Sequence, residues 1–258
     1  MSLTRNVFSS LALTATLTLS ACGGGDAPDV GSQTSFERAS DRGIGSADAP
    51  LTIIEYASVA CGHCASFHDE VWPMIEGDYV ETDQVRFVFR EMLTGNPQFA
   101  VAGFSLAHCV PEDRYFDMID LLFQQQPAIF GAARQPGGAR SQYLAIAQSM
   151  GLSESDFNAC LSDESIQADI LAANEQALDD GINSTPRFLF NGELLDARQA
   201  QGETAYTYFI GNQQVLVNGE PVPGVVDEAT FQTLIDYALG IESAPGEMEA
   251  EEASSEEE

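Results

Sequence analysis

Residues 51–79 read LTIIEYASVACGHCASFHDEVWPMIEGDY, and this stretch decides the fold. Leu51 to Ser58 is rich in β-branched and aromatic residues with no breaker after Pro50, which predicts a strand. From Cys64 to Tyr79 the apolar residues Phe67, Val71, Met74 and Ile75 share one helix face, with Pro73 as an expected kink. Cys61-Gly62-His63-Cys64 lies between the two. Cysteines two residues apart can close a small disulfide ring and open it again. The free N–H groups of a helix N-terminus favour a thiolate, and cysteines placed there have pKa values of roughly 3.5 to 7.5 in place of about 8.5. A stabilised thiolate is the nucleophile of disulfide exchange and also the better leaving group. The stretch therefore predicts a redox disulfide at a strand–helix junction.

Toward the N-terminus, Arg5 and the apolar run Val7 to Leu19 read as an export signal, too short to remain as a membrane span. The run ends in Leu19-Ser20-Ala21-Cys22, which resembles a bacterial lipobox and implies cleavage after residue 21 and acylation of Cys22. An ordinary secretory signal with an incidental cysteine is the alternative. Export implies an oxidising compartment. Of the five cysteines, Cys22 goes to lipid and Cys61 and Cys64 to the redox pair. Cys109 and Cys160 remain, as two buried thiols or as a structural disulfide worth roughly 3 to 4 kcal/mol if unstrained; the oxidising compartment favours the disulfide.

The formal net charge is −30, and all ten basic residues are arginines. Nucleic acid and anionic lipid surfaces are thereby disfavoured as partners. Residues 242–258 carry eight glutamates and no basic residue, and read as an acidic disordered tail.

Toward the C-terminus, residues 84–91 (QVRFVFRE) alternate as a strand. Helices are expected over 98–109, 112–126, 141–150, 153–161 and 165–180, with a Gly/Pro/Arg-rich loop at 131–140. Ser153 and Asp156 make an N-terminal cap, and Gly181 a stop. Residues 187–190 read as a short strand and Asn191-Gly192 as a hairpin turn. FLFNGELL at 188–195 returns as VLVNGEPV at 215–222; the segment between has no readable role, and 215–217 is expected to be the closing strand. An amphipathic helix over 227–239 ends the domain.

Strand, CxxC, helix, strand, helical block, Thr185-Pro186, two strands and a helix resemble the thioredoxin fold with an inserted helical domain, as in the DsbA-like family of exported thiol–disulfide oxidoreductases. The resemblance implies an α/β fold with a mixed central sheet over residues 45–241, its insertion at about 96–180, preceded by signal 1–21 and anchor with linker 22–44. It implies Cys61 as the exposed nucleophile, Cys64 as the buried resolving cysteine, and Pro186 as a cis-proline that leaves the Thr185 backbone open to an extended substrate. It matches Glu55, six residues before Cys61, to the buried acid that moves protons at the resolving cysteine. His63 is expected to donate a hydrogen bond or positive charge to the Cys61 thiolate. Gly62-His63 departs from the Pro-His pair of the best-known members.

The expected activity is disulfide donation or exchange in the periplasm, on reduced exported proteins with cysteines, without a cofactor. A quinone-linked DsbB-like membrane protein would reoxidise it, the chain would be a monomer, and its contact with the membrane would be the lipid anchor alone. Three alternatives stand beside this. One is a reductase of the same fold, one a zinc site using Cys61, Cys64, His68 and a further ligand, and one an anchored binding module without activity.

Overall fold

In the computed structural model of the protein, residues 35–241 are described. The expected signal peptide, Cys22, most of the linker and the acidic tail lie outside the described residues.

The centre of the molecule is β2 (Leu51–Ala57), buried at every position. One side of the strand, with Ile53 and Ala57, enters the main core, and the other, with Ile54 and Tyr56, enters a smaller cluster with Val88, Met92, Ala177 and Ile182. A strand covered on both faces needs a largely apolar run, and LTIIEYA supplies one at every position but Thr52 and Glu55. β2 pairs in parallel with β3 (Val85–Glu91) and antiparallel with β4 (Arg187–Phe190). Strand β1 (Arg42–Ile44) closes the β3 edge. Beyond β4 follow β5 (Glu193–Gln199), β6 (Tyr206–Ile210) and β7 (Gln213–Gln214), giving the mixed order β1-β3-β2-β4-β5-β6-β7.

The redox helix α1 runs over Gly62–Glu70 with Cys61 as its N-cap, so it begins before Cys64. It also stops short of Tyr79. Pro73 has no N–H to continue the ladder. The chain resumes as the single turn α2 (Trp72–Met74) and a π-helical turn at Ile75–Val80. Phe67, Val71 and Ile75 are nevertheless fully buried, as the apolar stripe requires.

The insertion consists of α3 (Pro97–Cys109), α4 (Tyr115–Ala132), α5 (Gly138–Ser149), α6 (Glu154–Leu161) and α7 (Glu164–Asp179). The Ser153–Asp156 capping box is formed. Helix α4 continues past Gln126 and through Pro127, burying Ile129, so the expected loop at 131–140 is shorter. The last helix, α8 (Glu228–Leu239), is capped by Asp227 and lays Phe231 against Phe67 and Phe188, with ring centroids 5.1 and 5.2 Å away.

The repeated NGE pattern is two hairpins. Asn191-Gly192 and Asn218-Gly219 all have positive φ (47°, 82°, 53° and 85°), the geometry of tight hairpin turns. The second joins β8 (Leu216–Val217) to β9 (Glu220–Pro221) in a separate two-stranded sheet. Residues 215–217 therefore do not close the main sheet. The turn at 218–219 sends the chain back on itself at once, and the hairpin meets β6 through isolated bonds: the Val215 N–H donates to the Tyr208 carbonyl at 2.9 Å, the Tyr208 N–H to the Val222 carbonyl at 2.9 Å, and the Gly224 N–H to the Tyr206 carbonyl at 2.8 Å. The segment between the repeats forms the end of β5 together with β6 and β7, and widens the sheet.

Candidate active site

The parallel β2–β3 pair and the antiparallel β2–β4 pair end at one place. Tyr56 is opposite Arg187, so Pro186 and Thr185 come level with the turn that leads into α1. The Thr185–Pro186 bond is cis, and the Thr185 carbonyl oxygen is 3.5 Å from Cys61 Sγ. The turn is held from several sides. Ser58 Oγ donates to the Thr94 carbonyl at 3.0 Å, and the Thr94 and Thr185 hydroxyls are hydrogen-bonded to each other. The Gln126 amide of α4 donates to the Val59 and Cys61 carbonyls at 2.8 and 3.1 Å.

The two cysteines are free thiols in very different settings. Cys61 is half-buried and Cys64 is fully buried. The Cys61 thiol is lowered to about 5, chiefly because the Cys64 thiol donates to it, with help from the Thr185 side chain and the backbone N–H groups of Cys64 and His63. Burial opposes this and is outweighed. Cys64 is pushed the other way, first by burial, then by its bond to Cys61 and by the charge of Glu55. One sulfur is thus an accessible thiolate and its neighbour a protonated thiol. The His63 side chain is exposed on the first turn, and its contribution to Cys61 comes from its backbone N–H.

Glu55 is completely buried on β2, between Phe89 and Phe188 in register. Its Oε2 lies 2.9 Å from Nε2 of His68, which is itself buried on α1. Burial raises the carboxyl, against the pull of His68. Burial depresses the imidazole, but Glu55 and Asp120 more than reverse this and hold it at about 9. The second ring nitrogen, Nδ1, is 3.4 Å from Asp120 Oδ1. His68 is therefore committed to two carboxylates, and among the described residues no group of three or more His, Cys, Asp or Glu side chains could hold a metal ion.

Beside Cys61, a cavity of about 400 Å³ is lined by His63, Thr185, Pro186, Phe188, Leu195 and Tyr208, among others. Its far wall belongs to β5 and β6, the segment whose role the sequence did not disclose. Away from the site, Cys109 at the end of α3 is bonded to Cys160 on α6, with Cα atoms 6.1 Å apart.

Sequence reasoning missed Gln126, Thr94, Gly95 and Asp120. Asp120 left a trace, an acid set among Phe116, Ile119 and Phe123 on the apolar face of α4. Gln126 reaches two backbone carbonyls, Thr94 meets the Ser58 and Thr185 hydroxyls, and Gly95 lies against the Ala60 carbonyl, contacts that no spacing reports.

A thioredoxin family model matches residues 37–206. A Rickettsia bellii protein named as a protein-disulfide oxidoreductase is 26% identical over 155 residues, 59% of this chain and 57% of that protein. The chain thus spans a little over half the length of this relative. Bacillus subtilis disulfide bond formation protein D is 27% identical over 86 residues, covering 33% of this chain and 39% of that one. Among solved structures, Wolbachia pipientis alpha-DsbA1 superposes with a TM-score of 0.60 at 23% identity, over 80% of this chain and 94% of its own. Oxidised Bacillus subtilis BdbD superposes with 0.58 at 17% identity, over 82% and 98%. With a strand–CGHC–helix junction facing Thr185-Pro186 and a family match over most of its folded part, the chain belongs to the thioredoxin family and has the DsbA-like form of its fold.

Proposed function

We infer that the protein is a thiol–disulfide oxidoreductase that donates or exchanges disulfides in exported proteins through Cys61 and Cys64. The observation that carries this reading is the asymmetry of the pair. Cys61 is an accessible thiolate at a helix N-terminus, and Cys64 is buried and protonated. A stabilised Cys61 thiolate favours the dithiol form over the disulfide, which makes the disulfide the more oxidising partner. In the oxidised enzyme a substrate thiolate attacks Cys61 Sγ, the Cys61–Cys64 bond breaks, and Cys64 leaves and takes up a proton. The substrate segment lies along Thr185-Pro186 with its side chains toward the β5–β6 wall. A second substrate thiolate then displaces Cys61, and the enzyme departs as the dithiol.

The reading includes a periplasm-facing, lipid-anchored monomer, exported by residues 1–21 and held by Cys22, with a DsbB-like membrane protein as its oxidant. No helix among the described residues is long and apolar enough to cross a membrane. Cys109–Cys160 serves as a structural bridge within the insertion.

The test is the reduction potential of the pair against glutathione, with turnover of single mutants. A potential near about −120 mV supports disulfide donation, whereas one near about −270 mV moves the assignment to the electron-supplying alternative. Cys61→Ser should abolish turnover and Cys64→Ser should accumulate mixed disulfides. Full activity in either mutant would overturn the mechanism.

A further inference from the structure

The resolving cysteine has a proton problem. Cys64 is 0% exposed, yet it must lose its proton each time it attacks a mixed disulfide on Cys61, as it does when the enzyme is reoxidised. Glu55 is also 0% exposed, so it can accept that proton but cannot by itself hand it to water. The groups behind Glu55 continue as a chain of contacts. Glu55 Oε2 meets His68 Nε2 at 2.9 Å, and His68 Nδ1 faces Asp120 Oδ1 at 3.4 Å. The side-chain exposures along this chain of contacts rise from 0% at Glu55 to 2% at His68 and 25% at Asp120. Glu55 Oε1, His68 Nδ1 and Asp120 Oδ1 are buried atoms without a hydrogen bond. Such groups are costly to keep in a core and call for a reason. The imidazole is clamped by Phe123, stacked 4.1 Å away, and by Phe67, Trp72 and Phe89.

We propose that His68 and Asp120 form the outer half of a proton path that connects Cys64, through Glu55, to solvent on the α4 side of the molecule. This rests on the oxidoreductase reading above. In the resting dithiol Cys64 is a thiol, and His68 is an imidazolium held between the carboxyl groups of Glu55 and Asp120. The Cys64 proton passes to Glu55 Oε1. The imidazolium releases its Nδ1 proton to Asp120, which returns it to water and is a carboxylate again. His68 is left neutral with its Nε2 proton toward Glu55. The Cys64 thiolate then attacks Cys61 Sγ, forming the Cys61–Cys64 bond and breaking the bond from Cys61 to the partner sulfur. That sulfur leaves as a thiolate and takes a proton from water. One disulfide is exchanged for another, so no further oxidant is involved.

Other charges bear on the path. Glu76, on the π-helical turn, interacts with both Asp120 and His68, and with Asp117 and Glu81. The charge of Cys61 acts on Glu55 and on Cys64. Asp120→Asn removes the exit and also one of the two carboxylates that raise the imidazole, so the path should change both the speed and the pH dependence of the step.

The experiment is stopped-flow oxidation of the reduced full-length protein by oxidised glutathione, across pH 5 to 9, with acid quench and mass spectrometry. The slope at low glutathione reports Cys61 attack, and the plateau at high glutathione reports resolution by Cys64. Trp72 is the sole tryptophan, and its Nε1 lies 3.4 Å from Asp120, so its fluorescence follows the same step. In Asp120→Asn and His68→Gln the plateau should fall at least about tenfold, with a displaced pH profile, while the slope stays within about twofold. Asp120→Glu should recover most of the plateau. If His68→Gln does not fold, Asp120→Asn, at a partly exposed side chain, carries the test. A plateau in Asp120→Asn with wild-type rate and pH profile overturns the path, as does an equal fall of slope and plateau. A wild-type protein that never forms the Cys61–Cys64 disulfide overturns the oxidoreductase reading itself.

Discussion

The carbonyl oxygen of Thr185 stands 3.5 Å from the Sγ of Cys61, although the two residues are separated by the whole helical insertion. The β2–β4 register accounts for it, since Tyr56 opposite Arg187 brings the start of β4 to the end of β2. The nucleophile and the backbone it works beside are thus positioned by neighbouring strands of one sheet, and the insertion is free to pack around them.

Alkylation of the reduced protein should report the split between the two thiols. Cys61 should react with iodoacetamide with a midpoint near pH 5, and native Cys64 should stay unmodified. The thiolate contribution to the stability of the folded dithiol has a definite sign. The folded value lies below the ordinary 9.0, so the contribution is full above pH 9, declines as pH falls and is gone below about 5. The reduction potential should change by about 60 mV per pH unit below that midpoint and about 30 mV above it, as one proton fewer accompanies the two electrons. A midpoint above pH 8 would remove the basis for an oxidising pair.

Gln126 ties the insertion to the redox turn through Val59 and Cys61. Gln126→Ala should cost about 1 to 3 kcal/mol by denaturant unfolding, because it strips a buried donor from both carbonyls. It should also alter Cys61 alkylation, which a loss of stability alone would leave in place. Unchanged alkylation would confine Gln126 to packing.

Gly95 has φ of +73°, and a β-carbon there would lie 2.1 Å from the Ala60 carbonyl oxygen. Neither group is the end of a flexible side chain, so the Ala60–Cys61 peptide must shift. Gly95→Ala should cost more than about 2 kcal/mol and displace the Cys61 midpoint. Wild-type stability in this variant would show that the loop yields freely.

Cys109 and Cys160 close a loop across α3 to α6, with a sequence separation of 51. Replacing both by Ala should lower stability by about 3 to 4 kcal/mol, with Cys61 reactivity retained. Peptide mapping without reduction should recover the two joined. Free thiols at both positions would refute the bridge.

Most of the secondary structure was legible because it is written in local patterns. The β-branched and aromatic residues of β2, the alternation of β3, the Ser153 capping box and the Asn-Gly turns each depend on neighbours a few residues away. The misplaced closing strand shows where this stops. Leu216 and Val217 read as a strand, but their pairing partner is chosen by the turn at 218–219, which folds Glu220 and Pro221 back onto them.

The site divides in the same way. Cys61, His63, Cys64, Glu55, Thr185 and Pro186 stand in recognisable spacings and are candidates from the chain alone, and the fold brings Cys61, Cys64, Glu55, Thr185 and Pro186 to the end of β2. That Glu55 is shared with His68, that His68 leads to Asp120, and that Gln126 and Gly95 hold the redox turn could not be read from the chain. These contacts join β2, α1, α4 and the loop after β3, and they exist because a twice-covered sheet forces distant segments into one low-dielectric volume. There each buried charge must find a partner, and sequence distance does not enter that requirement.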